Sequence, residues 1–193
     1  INLRWLDLSD ATIVGCNHEY YTGYATSDNI VGNRMFYDHD KYLSIKLPKN
    51  AERIDAEAFA GCNNLKEVEL YEGIKSIGSS AFSRCNGIKQ MNIPSGCENI
   101  EYEAFGSCSN LKEVVIGEGC KGIGYRAFSG CYNLHTVKIG EGCETISSSA
   151  FSSCGLKTLA LPTTLKQIGD NAFSSCSSLE IVSLPTHLNS IGA

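Results

Sequence analysis

Cysteine is the residue type with the greatest chemical capacity in this sequence, because a thiolate can bind a metal, attack an electrophile or pair as a disulfide. The chain has ten cysteines among its 193 residues, and no two of them form the Cys-x-x-Cys spacing of zinc and redox motifs. Nine recur in two series with spacings of 22 or 23 residues: Cys62, Cys85, Cys108, Cys131, Cys154 and Cys176, and then Cys97, Cys120 and Cys143. This recurrence indicates a repeated structural position rather than a single reactive site.

Three interpretations of these nine cysteines stay open. Stacked repeats would place equivalent Cα atoms about 4.8 Å apart, which is close enough for disulfides between neighbours. Parallel, inward-pointing thiols would instead pack as small apolar side chains, and this interpretation fits the spacing best. A metal site is the least favoured, because no metal-binding spacing is present. Cys16 lies outside both series and is the one candidate for a reactive or intermolecular thiol.

The other residue types that catalyse reactions form no recognisable site. The four histidines, His18, His39, His135 and His187, are isolated from one another in the sequence. His39 occupies the first-series cysteine position of its own repeat, so we expect it to be partly buried. No phosphate-binding glycine motif, zinc motif or nucleophile elbow is present. We predict that the chain is not an enzyme and has no catalytic residue, cofactor or metal.

Net charge and hydropathy exclude two other classes of function. The formal net charge is −5, whereas a nucleic-acid-binding domain needs a strongly basic surface. The apolar runs are only a few residues long, far short of the roughly 20 that span a bilayer. We therefore predict no nucleic-acid partner and no transmembrane segment in this chain.

Phenylalanine reveals the repeat that positions the cysteines. All the phenylalanines of the chain recur with spacings of 22 or 23 residues: Phe36, Phe59, Phe82, Phe105, Phe128, Phe151 and Phe173. Each stands three residues before a first-series cysteine or His39, and alanine precedes all of them but the first. Upstream runs an apolar-x-x-apolar-x-apolar pattern, as at Leu111, Val114 and Ile116, followed by a second apolar pair. Such a pattern is typical of a β-strand in each repeat.

The repeat predicts a right-handed solenoid of about eight coils of about 23 residues. Stacking would merge the apolar sides of the coils into one core with a single column of phenylalanine rings. The strands would form a parallel β-sheet on one face, and the x-x-Ala-Phe-x-x-Cys stretch, with its helical spacing, would form short helical or 3₁₀ turns opposite. Residues 1–193 would be one domain, with an insertion at about 9–30 in the first coil and an incomplete last coil. We expect a mature or trimmed piece of a longer protein.

The repeat Leu-x-x-Val-x-Leu-Pro-x-x-Leu-x-x-Ile-Gly-x-x-Ala-Phe-x-x-Cys resembles the BspA-like (Treponema-type) leucine-rich repeats. The stretch from Leu156 to Cys176 matches it at almost every position, and the resemblance covers the chain apart from residues of about 9–30. It implies a leucine-rich-repeat solenoid from a bacterial cell-surface or secreted protein, with an outer-membrane anchor as one arrangement of the full-length protein. It also implies adhesion to host matrix proteins, other cells or surface glycans, and it carries over no catalytic residue.

Two classes of function follow. The first is a non-enzymatic adhesion scaffold that binds a host or cell-surface protein, with a surface glycan as the alternative ligand. The second is a structural spacer or self-assembling element, because the exposed strand edges of an open stack can pair end to end.

The outward side of the predicted sheet is the usual binding face of a solenoid. We name as candidate ligand contacts the outward residues near the N-terminus and the tyrosines of the insertion: Trp5, Asp7, Lys46, Glu67, Glu69, Tyr20, Tyr21 and Tyr24. Tyrosine supplies a large contact area at modest entropy cost. The alternative, which we favour for the tyrosines, is that the insertion folds over the first coil and they pack locally. Trp5 is the single aromatic residue of the outward face, which disfavours an extended glycan platform.

Charged residues recur in two columns. The first alternates in sign: Glu52, Lys75, Glu98, Lys121, Glu144 and Lys166. We expect it to form pairs between coils that favour the correct register and solubility. The second is basic: Lys66, Lys89, Lys112, His135 and Lys157. It either attracts an acidic partner or is solvated and offset by neighbouring glutamates, and we favour the latter.

Overall fold

In the computed structural model the backbone is described for residues 4–12, 16–21, 24–26 and 28–193, and the side chains for residues 4–12 and 28–193. Parallel pairing between successive coils of about 23 residues arranges this part of the chain as a β-solenoid. Its strands are β1 (Trp5–Asp7), β2 (Cys16–Tyr21), β3 (Tyr24–Thr26), β4 (Ile30–Val31), β5 (Ser44–Lys46), β6 (Arg53–Ile54), β7 (Glu67–Glu69), β8 (Ser76–Ile77), β9 (Gln90–Ile93), β10 (Asn99–Ile100), β11 (Glu113–Ile116), β12 (Gly122–Ile123), β13 (Thr136–Ile139), β14 (Thr145–Ile146), β15 (Thr158–Ala160), β16 (Gln167–Ile168), β17 (Ile181–Ser183) and β18 (Ser190–Ile191).

The longer strands of the coils form the predicted parallel pairing, but in two sheets rather than one. The first sheet is β1–β5–β7 and the second is β9–β11–β13–β15–β17. Pairing follows the repeat, so that Val114 lies between Met91 and Val137. In the first coil Trp5 pairs with Ser44, because the insertion lengthens that coil. Within the insertion, β2 and β3 form an antiparallel hairpin.

A further parallel sheet, which the sequence did not predict, is built from the two-residue strands. It runs without interruption through β4–β6–β8–β10–β12–β14–β16–β18. Each of these strands ends at the last residue of the second apolar pair of its coil. That residue is buried in β4 to β16, as at Ile54, Ile100 and Ile146, and is exposed at Ile191 in β18. The coil is therefore hydrogen-bonded to its neighbours on two sides.

The expectation of helical or 3₁₀ turns around each phenylalanine is wrong, because the described residues contain neither kind of helix. The residues two before and two after every phenylalanine have positive φ, as at Glu57 (54°) and Gly61 (78°) around Phe59. With these φ values, every second N–H of the stretch points towards the next coil. The amide of Phe59, for example, donates to the carbonyl of Ala81 at 2.7 Å. The amides between them close four-residue turns instead. Such turns produce the same three-residue spacing as a helix.

The phenylalanine column is confirmed. The seven rings stack in chain order with centroids 4.9–5.7 Å apart and planes within 8° of parallel. Phe59, Phe82, Phe105, Phe128 and Phe151 are fully buried. Offset stacking at this spacing is favourable beyond the burial of apolar area, and the spacing matches that of hydrogen-bonded strands.

The nine cysteines of the two series are buried and free. Each first-series thiol donates to the carbonyl of the phenylalanine in the preceding coil, as from Cys85 Sγ to Phe59 O at 2.9 Å. Burial raises the pKa of the Cys62 and Cys97 thiols to about 12. A thiol held in its protonated form is a hydrogen-bond donor and a poor nucleophile. These cysteines therefore belong to the core.

The expectation that His39 is partly buried is wrong, because its side chain is exposed, unlike the cysteines at the equivalent position. Its ring lies beside that of Tyr42, with centroids 6.1 Å apart. An imidazole is larger and more polar than a thiol, which favours its exposure to solvent.

We expect Phe105→Ala to lower the free energy of unfolding by about 3–5 kcal/mol, because it opens a cavity in the middle of the column. Phe173→Ala should cost less, since Phe173 is only partly buried and has one stacking neighbour. Urea unfolding followed by circular dichroism would measure both. Equal losses would contradict a column whose energy depends on having a ring on both sides.

We expect Ser149→Gly and Ser148→Gly to change stability in opposite directions. Ser149 is the third residue of a four-residue turn closed by Ala150 N and Ser147 O, and its φ is 55°. Glycine relieves the cost of positive φ there, which should raise the free energy of unfolding by up to about 1 kcal/mol. At the neighbouring Ser148, glycine should lower it by about 0.5–1 kcal/mol through added chain entropy. Thermal unfolding of both variants provides the comparison, and a loss in both would refute the explanation of the turns.

Candidate functional site

The first sheet brings five of the eight candidate contact residues onto one face. Trp5 pairs with Ser44 and Ser44 with Glu67, which forms one row across the strands. Asp7, Lys46 and Glu69 form a second row two residues further along. The Trp5 side chain is 75% exposed. Because residues two apart on a strand point to the same side, the two rows share one surface.

The second row is an ion-pair network. The Nζ atom of Lys46 lies 3.8 Å from Asp7 Oδ2 and 3.5 Å from Glu69 Oε2. The backbone N–H of Ser9 donates to Asp7 at 3.0 Å and, with the nearby lysines, holds the pKa of that carboxyl below its usual range. Exposed pairs of this kind contribute little to stability. Their effect is to keep a fixed pattern of charge beside Trp5.

The tyrosines of the insertion belong to the β2–β3 hairpin, in which Tyr21 pairs with Tyr24. The side chains of Tyr20, Tyr21 and Tyr24 lie outside the described residues, as do those of Cys16 and His18. Contact between these tyrosines and a ligand therefore stays a prediction.

An open depression of about 760 Å³ lies beside the two rows, where the first sheet ends at β7 and the second begins at β9. Its lining combines acidic and amide side chains, including Glu69 and Asn92, with four lysines: Lys46, Lys66, Lys89 and Lys112. Pockets that enclose small molecules are mostly apolar. This depression is instead open and polar, which suits a charged chain lying across it.

The column of alternating charge forms two of the predicted pairs between coils. Lys121 Nζ lies 2.6 Å from Glu98 Oε2, and Lys166 Nζ lies 2.9 Å from Glu144 Oε2. The hydrogen bond from Lys121 holds the pKa of the Glu98 carboxyl below its usual range and raises that of the lysine itself. Because the sign alternates from coil to coil, this column offers little net charge to a partner.

One exposed aromatic pair was missed in the sequence. The rings of Tyr102 and Tyr125 stack with centroids 5.7 Å apart, and the guanidinium of Arg126 lies 5.2 Å from the centre of the Tyr125 ring. Each tyrosine stands three residues before a phenylalanine of the buried column, and the two tyrosines lie in adjacent coils. Applying the repeat to that outward position would have revealed them.

Two features are absent from the described ranges, residues 4–12, 16–21, 24–26 and 28–193. No helical segment in those ranges has the length and apolar character of a membrane span. The same ranges hold no group of three or more His, Cys, Asp or Glu side chains arranged to bind a metal ion.

Comparison with known proteins agrees with the repeat. A family model described as "BspA type Leucine rich repeat region" matches residues 29–154 and 112–193, with six copies. A leucine-rich cell surface protein from Faecalibacterium prausnitzii is 30% identical, with a TM-score of 0.74 over 94% of this chain. A leucine-rich repeat protein from T. pallidum is 25% identical, with a TM-score of 0.66 over 77% of this chain and 70% of its own. No curated protein sequence matches the chain.

A leucine-rich repeat protein from Eubacterium ventriosum is 26% identical, with a TM-score of 0.71 over 78% of this chain. The chain spans 47% of the F. prausnitzii structure and 41% of the E. ventriosum structure. The matched family is one of repeat scaffolds, and its model extends over every coil from β4, the first of the two-residue strands, onwards. The motif, the stacked coils and these matches agree, and the chain belongs to the BspA-type leucine-rich repeat family.

Proposed function

We propose that this chain is a protein-binding scaffold of a bacterial surface or secreted protein, and that it serves in adhesion to a host or cell-surface protein. The observation that carries the proposal is the exposure of Trp5, at 75%, on the outward side of a hydrogen-bonded sheet. Tryptophan is enriched among the few residues that dominate the energy of protein interfaces. An exposed indole on a rigid support loses little entropy when a partner covers it.

The surroundings of Trp5 suit a protein partner. Asp7, Lys46, Glu67 and Glu69 supply polar side chains beside Trp5 on the same three strands. An apolar anchor within a polar rim is the common anatomy of a protein interface. The hairpin β2–β3 follows β1 in the chain, and insertions in repeat proteins often carry binding contacts. The F. prausnitzii relative is described as a cell surface protein, which supports the proposed location.

A second candidate is a self-assembling structural element. Ile181, Leu184 and Ile191 are exposed apolar side chains on the last coil, and a further stacked coil or a second molecule would cover them. Light scattering over a concentration series separates the two candidates. Growth in mass with concentration supports self-assembly, and a constant monomer mass supports the binding scaffold.

We expect Trp5→Ala to reduce capture of the partner at least about tenfold on an array of purified matrix proteins and surface glycans, equivalent to about 1.4 kcal/mol. The melting temperature should not change, because the ring is exposed. Tyr132→Ala is the matched control, since it removes another exposed ring, at 66%, from a distant coil. Equal binding by wild type and Trp5→Ala to every protein on the array would contradict the proposed site, and selective capture of glycans would replace the proposed ligand.

A triple replacement of Tyr20, Tyr21 and Tyr24 by serine tests the insertion. If these tyrosines contact the partner, capture is lost while the melting temperature stays constant. If they pack on the first coil, the melting temperature falls instead, because buried aromatic area is lost. Differential scanning fluorimetry beside the same array measures both quantities.

A further inference from the structure

The basic column carries charge that the solenoid itself does not neutralise. Its residues are exposed and follow one another on successive coils: Lys66, Lys89, Lys112, His135 and Lys157. None of the four lysines forms an ion pair within residues 4–12 and 28–193, where side chains are described. The nearby carboxylate of Glu113 lies 3.8 Å from Lys138, and that of Glu69 lies 3.5 Å from Lys46. The offset by neighbouring glutamates that we favoured from the sequence is thus incomplete.

The alternating column on the same solenoid shows what a charge-balanced column looks like. There, every lysine has glutamates as its column neighbours, and close pairs form at Lys121 and Lys166. In the basic column, the three successive lysines Lys66, Lys89 and Lys112 repeat the same sign at a spacing of about 4.8 Å. Like charges facing each other across a sheet are destabilising. The basic column therefore gains nothing from its own neighbours and gains most from an external anion.

The depression lies at a gap in the backbone pairing along this column. The amides of Lys66, Lys112 and His135 bond to the preceding coil, as from Lys112 N to Lys89 O at 2.8 Å. In the part of the chain that the structure describes, no such bond joins Lys89 to Lys66, and β7 and β9 belong to different sheets.

Gly87 lies beside this gap. Its position holds asparagine in other coils, where Asn64 and Asn110 donate side-chain hydrogen bonds at 2.9 Å to the preceding coil. Glycine cannot make this bond. A Cβ atom at residue 87 would collide with the backbone carbonyls of Asn63 and Leu65, so the chain enters β9 along a closer path than asparagine could follow.

We propose that the basic column, Lys66 to Lys157 with the depression at β7–β9, binds an extended acidic segment of a protein; this rests on the proposed protein-binding function and specifies the chemistry of the partner. Lysines attract carboxylates, and the open depression leaves room for an extended chain to lie across it. The column spans about 19 Å, the length of roughly six extended residues. No aromatic ring lines the depression, which favours a peptide over a stacked sugar.

Fluorescence anisotropy with a labelled glutamate-rich peptide, and its glutamine-rich counterpart, tests the proposal directly. We expect the wild-type chain to bind the acidic peptide with an affinity that falls as salt rises, and to bind the neutral peptide at least about tenfold more weakly. The triple variant Lys66→Gln, Lys89→Gln, Lys112→Gln should lose at least about tenfold in affinity. The matched control Lys75→Gln, Lys121→Gln, Lys166→Gln changes the net charge equally on the alternating column and should stay within about twofold of wild type.

The possible outcomes separate the two proposals. Equal loss in both triple variants would show a general charge effect and overturn the proposed site, as would an absence of binding to the acidic peptide. Stronger binding of a sulfated oligosaccharide that displaces the peptide would also overturn it. Trp5-dependent capture that persists in the basic-column variant would leave the proposed function intact while this inference fails. Conversely, peptide binding without any captured protein would count against the proposed function alone.

Melting temperatures check that the variants remain folded and supply an independent readout. Removing the three unpaired lysines should leave the melting temperature unchanged or raise it, because like-charge repulsion is relieved. Removing the three lysines of the alternating column should lower it slightly, since close ion pairs are lost. A lower melting temperature in the first variant than in the second would contradict the description of the basic column as unpaired.

Discussion

The carbonyls of five column phenylalanines, from Phe36 to Phe128, each accept an amide of their own coil and a thiol of the next coil. Phe59 O accepts the amide of Cys62 in its own coil at 3.1 Å and the thiol of Cys85 in the next at 2.9 Å, while Phe59 N donates to Ala81. A buried carbonyl left without donors would cost free energy. The thiol is small enough to reach this group without displacing the stacked rings. One coil therefore satisfies neither its backbone nor its apolar side chains until the next is in place, which makes stability a property of neighbours.

The sequence predicted the parts of the fold that depend on side-chain period. Ring, thiol and strand positions recur because each must meet its equivalent in the next coil, so the phenylalanine column and the parallel pairing could be inferred. The conformation of the turns could not be inferred. Positive φ occurs here at Glu57, Ser80 and Arg126, and these residue types do not indicate positive φ in a sequence. Their conformation is imposed by hydrogen bonds to the next coil, which residue spacing does not encode.

The candidate surface was predictable to the same degree. Residues one repeat apart become neighbours, which brought Asp7, Lys46 and Glu69 together. Which charges form ion pairs was harder to predict, because a lysine or glutamate side chain can reach several partners of similar energy. Glu113 pairs diagonally across the strands with Lys138 rather than with Lys112. The gap before β9 is marked in the sequence, because Gly87 interrupts the asparagine series of Asn64, Asn110 and Asn133. The sequence alone does not show that strand pairing is interrupted there.

Separation of core from surface explains how such a molecule can carry an unbalanced column of charge. The buried rings, thiols and isoleucines supply the stability, and the two hydrogen-bonded sides of each coil hold the backbone. Outward side chains contribute little to this stability. A column of like charges therefore lowers the free energy of unfolding only by the modest repulsion between solvated groups. Because the coils repeat, the same residue type at one position of each coil forms an evenly spaced array. A flexible loop with the same lysines would lose that spacing and would have to order itself on binding; here the coils hold it before a partner arrives.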